Sequence, residues 1–363
     1  MNSLQFDDAT LTSLARELDE VDRKIRDDLG HHDASYIFSI IRIQRVFSIA
    51  GRVCIPLGFL TPSLWVLGVI YLSIAKILDN MEIGHNILHG QYDWMNHEHM
   101  NSRNFDWDIV CSVESWKRVH NYEHHTYTNI IGKDRDFGYG LLRMTDKLKW
   151  KVKNLWQFFT YALLSLLFEW GIAYHELAGE RVYLGKQKKD DQTKVRHEML
   201  KASFFKKIRS QVFKDYIFFP LLCWPVAIYV LLANLMANLI RNLWASTIIF
   251  CGHFTEEVQT FSQSGCENES RGHWYYRQML GSSNFTGPRW LHILSGHLSY
   301  QIEHHLFPNL PACRYPEAAV FVREIAKRYG IPYHSGSFLG QYWTVIMRIL
   351  RYSFPTPKRS LQP

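Results

Sequence analysis

Long apolar blocks alternate with strongly charged ones along the chain, and each apolar block is long enough to form helix. The first runs from about Tyr36 to Leu78, is interrupted by Arg42, Arg45 and Arg52, and contains the helix-breaking "LTP" at Leu60 to Pro62. It predicts a tight helical hairpin. The second, Tyr216 to Cys251, is about long enough for two spans of roughly 18 residues each, the short end of what crosses hydrocarbon. It predicts a second hairpin. A third block, Asn154 to Leu177, could also span but carries Glu169 and a polar tip.

Charge decides between placements of that third block. If it crossed, the basic segment after it, "GKQKKDDQTKVRHEMLKASFFKKIRS", would lie on the outer side against the positive-inside tendency, and His253 would be across the bilayer from His85. We therefore place it at the interface. Two hairpins then leave short, uncharged outer loops, "FLTPS" and "LANLMAN". The basic runs Lys186 to Lys189 and Lys206 to Arg209 fall on one, cytoplasmic, face together with every histidine cluster, and are also candidates to meet an anionic substrate or partner. The expected fold is an all-α integral membrane protein: four transmembrane helices in two hairpins, interfacial helices and a cytoplasmic helical cap. Residues 1–35 form a cytoplasmic solvated helix and linker in this reading, 36–340 the membrane domain with its cap, and 341–363 a C-terminal helix and tail. A soluble helical protein is the competing reading, because Arg52 and Arg241 fall inside spans where charge is costly unless it snorkels or faces protein.

Composition narrows the class only a little. With 47% apolar residues the chain can build a core or fill a bilayer, which excludes disorder. A net charge of +7 fits a nucleic-acid binder, a membrane protein with basic loops or an enzyme of acidic substrates, and no nucleic-acid-binding motif is present. The six cysteines contain no C-x-x-C pair, so structural disulfides and a cysteine-bound zinc are not expected. The first 35 residues lack the apolar centre of a signal peptide.

Histidines carry the chemistry. "HNILHG" places His85 and His89 four apart at the cytoplasmic end of the second span, on one helix face. "HNYEHH" supplies His120, His124 and His125, "FCGHF" puts His253 at the end of the fourth span, and "GHLSYQIEHHLFP" contains His297, Gln301, His304 and His305. One i, i+4 histidine pair is ordinary on a helix, but four clusters on one side of a membrane are not. Eight imidazoles, or nine with His297, are what two transition metals need when carboxylates are not ligands, and imidazole suits iron, zinc, copper and nickel. Zinc hydrolase chemistry fits poorly, since neither "HEHMN" at His97 nor "YHELAG" at His175 completes H-E-x-x-H.

The boxes H-x3-H, H-x3-H-H and Q-x2-H-H, joined by His253 at the end of the last span, resemble those of the integral-membrane fatty acyl desaturases with an all-histidine di-iron site. The resemblance covers roughly residues 40 to 340, is nearest to the bacterial acyl-CoA desaturases of the stearoyl-CoA delta-9 or linoleoyl-CoA-like group, and is most specific at "QIEHHLFP". It implies two iron ions held by His85, His89, His120, His124, His125, His253, His304 and His305. It implies O2 as co-substrate and a long-chain acyl substrate, with acyl-CoA and the delta-9 position as the expected choices. Two hydrogens leave adjacent methylenes to form a cis double bond, and two electrons with two protons complete the reduction of O2 to water. Gln301 in place of a first histidine is also the habit of front-end desaturases, which usually carry a fused cytochrome b5 domain with H-P-G-G. No H-P-G-G occurs here, and neither the first 35 residues nor the tail after "RYSFPTP" would hold that domain. Electrons from NAD(P)H are therefore expected through a separate ferredoxin, cytochrome b5 or flavoprotein, at the cytoplasmic face of a bacterial inner membrane.

Other roles stay open. Gln301 is either a weak ligand through its carbonyl oxygen or an orienting group, and His297, one turn earlier, is the other candidate for the missing imidazole. Asp106, Asp108, Glu123, Asp134, Asp136 and Glu303 are candidates to accept the second ring N–H of ligating histidines. Trp94, Trp107, Trp116 and Trp290 are candidates to line a dry acyl channel. His31, His32, His175, His197, His273, His292 and His334 read as structural or solvated. A membrane di-iron hydroxylase or alkane monooxygenase is the alternative on the same ligands. A b-type electron carrier, which would need histidines in mid-membrane, fits less well.

Overall fold

The computed structural model describes residues 6–177 and 191–356; the basic run Lys186 to Lys189 lies outside the described residues. Helix α1 (Asp8–Asp27) begins at Asp7, whose carboxylate accepts from Thr10 N. Helix α2 (His31–Leu57) and helix α3 (Pro62–Leu88) form the first hairpin, with Pro62 at the start of α3 where its missing N–H costs nothing. Helix α4 (113–127) carries the second histidine box. Helices α5 (Gln157–Leu166) and α6 (Phe168–Glu176) meet at a bend of 95°. Helix α7 (191–222) and helix α8 (Ala227–His253) form the second hairpin.

That second turn is not where the sequence reading puts it. The chain reverses at residues 223–226, around Pro225, while "LANLMAN" lies inside α8. The reason is local: Pro225 cannot donate a helical hydrogen bond, whereas Leu, Ala, Met and Asn continue one. Of the four expected spans, two stand on length and composition. Among the described residues α3 and α8 are long and apolar enough to cross a membrane, and α5 with α6 would add a third only if the bent pair counted as one span. Helix α2 and the end of α7 pack beside them through Ile55, Val230, Ala233 and Phe219, but α2 carries three arginines and α7 begins in a basic segment. Outward faces are nonetheless apolar: Val46, Ile49, Ile70, Leu232 and Leu235 are exposed, as are Trp156 just before α5 and Phe159 and Leu163 on it, in the block expected at the interface.

The two arginines that weighed against a membrane reading both face protein. Arg241 pairs with Glu169 at 2.5 Å. Arg52 lies over the Phe219 ring and 3.8 Å from Asp215, which Lys76 Nζ approaches at 2.7 Å.

The remaining elements close the cap. Helices α9 (Arg271–Leu280), α10 (Arg289–Leu294), α11 (Gln301–Leu306), α12 (Tyr315–Tyr329) and α13 (Phe338–Ser353) follow, with a two-stranded parallel pair of β1 (Asn284–Thr286) and β2 (Ser335–Ser337). Helix α1 is not a solvated helix. Leu11 is buried, and the face of Leu14, Leu18, Val21 and Ile25 lies in one cluster with Tyr275 and Met279 of α9 and Val322 and Ile325 of α12. The charges that read as solvation occupy its other side, as in any amphipathic helix.

Candidate metal centre

Three separate stretches of backbone bring the boxes together. The turns Leu78–His85 of α3 and Lys117–His124 of α4 are wound as π-helix, a widened turn that recurs at functional sites. In α4 the His120 and His124 rings stack at 5.2 Å. Asn121 Nδ2 donates to Leu88 O at the end of α3 (2.8 Å), locking the first box to the second. The last carbonyls of α4 are taken up by α9: Arg277 donates to Thr126 O and Thr128 O, and Gln278 Nε2 to His125 O. Helix α11 is held at its start by Ile302 N donating to Asn284 Oδ1. Gly252 admits it closely, since a Cβ there would stand 2.8 Å from Gln301 Cδ.

The seven histidines of the boxes and His253 all converge. Ring nitrogens of His85, His89, His120 and His304 lie within 4.8 Å of one another, as do those of His124, His253 and His305. His125 joins His304 and His305 in a further group and so stands between the two. In the second group His253 Nε2 is 3.1 Å from His305 Nε2 and 3.3 Å from His124 Nε2. Gln301 belongs there too, with its amide nitrogen 2.9 Å from His253 Nε2 and its Oε1 buried without a partner.

Outer partners set the tautomers. Asp134 can only accept, so His124 donates from Nδ1 (3.1 Å), and Asp136 holds His120 Nδ1 the same way at 3.2 Å. His305 Nδ1 donates to Gln278 Oε1 (3.0 Å) and His85 Nδ1 to Asn86 Oδ1 (3.0 Å). Tyr315 OH gives its proton to Phe307 O and so accepts from His304 Nδ1 at 3.2 Å. Each of these rings therefore points an unprotonated Nε2 inward. Burial, then the neighbouring imidazoles, holds His125, His304 and His305 well below the ordinary histidine value and keeps them neutral. His124 is the exception: burial acts to lower it, but Asp134, with Asp136 behind, outweighs burial and raises it.

This geometry could hold metal ions. The Nε2 atoms of His89, His120 and His304, both nitrogens of His125 and Nδ1 of His253 are buried without a hydrogen-bond partner. Lone pairs facing one another in a dry interior are costly, and nitrogens about 3 Å apart are what imidazoles bound at ~2.1 Å to one ion adopt. The donor set is imidazole plus one amide, which suits transition metals rather than magnesium or calcium.

Several expected partners lie elsewhere. His297 donates from Nδ1 to Glu82 at 3.0 Å and joins neither group; Glu82 also accepts from Tyr36 OH. Of the six acids, only Asp134 and Asp136 meet box histidines. Glu303 accepts from Asn284 and Tyr333 instead, and burial pushes its carboxyl up to about 7. Glu123 pairs with Arg118, Asp106 with Lys207 and Asp108 with Lys214. His175, read as structural, stands behind the site with Nε2 3.5 Å from Asp136. Gln278 and Tyr315 escaped the sequence reading because a neutral polar residue distant in the chain carries no motif, and Asn86, inside the first box, because a neutral amide is not a motif residue. Trp107 and Trp116 line a cavity opening from the imidazoles, while Trp94 is turned to Gln91 O and Trp290 is 58% exposed. Trp116 stacks on the His120 ring at 4.6 Å.

Comparison with known proteins agrees with this construction. The sequence model described as fatty acid desaturase matches residues 60–337. The NADPH-dependent stearoyl-CoA 9-desaturase of Mycobacterium tuberculosis is 42% identical over 353 residues, covering 96% of this chain and 81% of the relative. The sn-1 linoleoyl-lipid 6-desaturase of Synechocystis sp. is 27% identical over 276 residues, covering 74% of each. With the family match running from α3 through β2 and taking in every converging histidine, the chain belongs to the fatty acid desaturase family.

Proposed function

We propose that this protein is an O2-dependent desaturase that introduces a cis double bond at the ninth carbon of a long-chain acyl-CoA. The single observation that carries the reading is the inward convergence of eight buried imidazoles in adjoining groups beside a largely apolar cavity, with the Nε2 atoms of His89, His120, His125 and His304 left without a hydrogen-bond partner. The relative active on stearoyl-CoA supports the choice of carrier and position.

In this reading His85, His89, His120 and His304 hold one iron, and His124, His253 and His305 hold the other, with His125 between them. Gln301 completes the second set in preference to His297, whose ring is engaged by Glu82. Two bound irons, reduced by a donor, supply the activation of O2 needed to take hydrogen from an unactivated methylene.

The protein's own part is fourfold. Asp134, Asp136, Gln278 and Tyr315 keep each Nδ1 protonated and so keep each Nε2 available as a ligand. Trp107 and Trp116, with Phe137 and Phe168, give the acyl chain an apolar path beside the imidazoles. The same packing excludes water from a reaction that bulk water would divert. Helix α4, clamped by Asn121 and Arg277, keeps both groups in register.

The NADPH dependence in the relative's name supports electron delivery from NADPH through a separate redox protein. We place the centre at the cytoplasmic face of a bacterial inner membrane, with 36–340 as the catalytic domain, 1–35 as its N-terminal helix and linker, and 341–363 as a C-terminal helix and tail. Fatty-acid methyl-ester analysis with double-bond localisation, on cells expressing the wild type or His124→Ala/His125→Ala, tests the reading. A new monounsaturated acid lost in the variant is expected. A hydroxy acid in its place would move the assignment to a hydroxylase, and unchanged lipids with a donor present would refute it.

A further inference from the structure

The cavity beside the histidines is apolar along its length but ends in charge. On α8 its wall is formed by His253, Ile249, Ala245 and Arg241, one stripe at helical spacing. At about 1.5 Å per residue, roughly 18 Å of helix separates the first from the last. Helix α6 forms a facing wall from Glu176 through Ile172 to Glu169. Glu176 marks the histidine end, because its carbonyl accepts from Arg118, a residue of α4. Glu169 and Arg241 therefore share the opposite end.

There they meet each other. Arg241 Nη2 lies 2.5 Å from Glu169 Oε1, with both side chains buried. Arg241 Nε donates to Asn242 Oδ1 (3.2 Å), and Asn242 Nδ2 donates to Leu166 O (2.9 Å) at the bend between α5 and α6. An alkyl end that pushed past would separate two buried charges and leave both unpaired, which is far costlier than leaving an apolar surface unfilled.

We propose that the Glu169–Arg241 ion pair is the closed end of the acyl cavity and sets how much chain fits beyond the reacting carbons. The inference rests on the desaturase reading above and adds a determinant of chain length to it. Neither residue touches the reacting carbons, so both are specificity residues rather than catalytic ones. On this reading the pair limits chain length alone, so the carbon at which the double bond forms should not change with it.

The test uses the full chain, purified in detergent with iron and a reducing system, and saturated acyl-CoAs of graded length in competition. Glu169→Ala/Arg241→Ala removes both charges together and opens the end. It is expected to raise the ratio of longest to shortest product about tenfold, the discrimination of roughly one methylene in an apolar pocket, with the double bond at an unchanged carbon. Glu169→Asp keeps the charge but draws the carboxylate back, and is expected to shift the ratio the same way by less. A folded, iron-loaded double variant with the wild-type length profile would overturn the proposal. Should that variant fail to fold, a wild-type profile from Glu169→Asp overturns it instead. Absence of any double bond from the wild type would strike at the desaturase reading itself, and so is distinguishable.

Discussion

His124 is gripped from both sides: its Nδ1 lies 3.1 Å from both carboxylate oxygens of Asp134, while its Nε2 stands 3.3 Å from His253 Nε2. The same carboxylate accepts from the backbone N–H groups of Asn129 and Asp136, so it is itself fixed before it fixes the ring. A ligand oriented in this way loses little entropy on binding metal.

Asp134→Asn should therefore cost metal before it costs fold. An amide accepts with one end only, so His124 loses its orientation and basicity, and bound iron should need about 10- to 100-fold more free metal to form. Chelator titration with iron analysis checks this. Equal iron retention by variant and wild type would contradict the role of Asp134.

Removing iron from the wild type should itself lower the thermal midpoint. The Nε2 atoms of His89, His120, His125 and His304 are buried without a hydrogen-bond partner, and a ligand that binds only the folded state stabilises it by mass action. Differential scanning of chelated and iron-replete protein in one detergent measures the shift; identical midpoints would argue against a metal at this cluster.

Gly252 and Gln301 should couple. With only 2.8 Å from a Cβ at 252 to the Gln301 side chain, Gly252→Ala is overpacked and should destabilise by about 1–3 kcal/mol. Gln301→Ala empties that space, so in the double variant much of the loss should return, with a coupling of about 0.5–3 kcal/mol. Additive losses would mean the two do not press on each other.

Lys76 and Asp215 form a second buried pair, 2.7 Å apart, with Asn238 donating to the same carboxylate oxygen at 3.1 Å. Lys76→Met alone leaves Asp215 with its more distant cations, and Asp215→Asn alone leaves Lys76 unpaired in the interior. The second should cost about 3–5 kcal/mol, and Lys76→Met/Asp215→Asn should recover most of it. Thermal unfolding of the three variants decides the matter, and a double variant weaker than Asp215→Asn would refute the pairing argument.

Gly272→Ala should loosen α1. A Cβ at 272 would fall on the Leu11 carbonyl, a backbone atom that cannot swing aside as a side chain can. Loss of the α1 packing face should appear as proteolysis within residues 8–27 of intact protein, at a lower temperature than the global transition. Unchanged protection there would show that α1 accommodates the methyl group.

The sequence alone determined what depends on near neighbours in the chain. The break at Leu60 to Pro62, the i, i+4 placement of His85 with His89 and His120 with His124, and the family resemblance of the boxes are all properties of a few consecutive residues. Helical periodicity turns such spacing directly into a shared face. The location of the second hairpin turn was legible in principle, at Pro225, but was obscured because asparagines in "LANLMAN" resemble turn residues as readily as helix ones.

Only the tertiary structure decided which groups stand behind the histidines. Asp134 and Glu303 are both carboxylic acids that adjoin a box in sequence or space, yet one meets His124 and the other meets Asn284 and Tyr333. Gln278, Tyr315 and Glu82 come from α9, α12 and α3 to partners on α11 or just before it. The burial of α1 and the pairing of Arg241 with Glu169 were settled in the same way. Local sequence specifies which face of a helix a residue occupies, but not which distant element is packed against that face. The partner of a buried polar group follows from packing, because its hydrogen bonds must be satisfied by whatever the assembled core brings within reach.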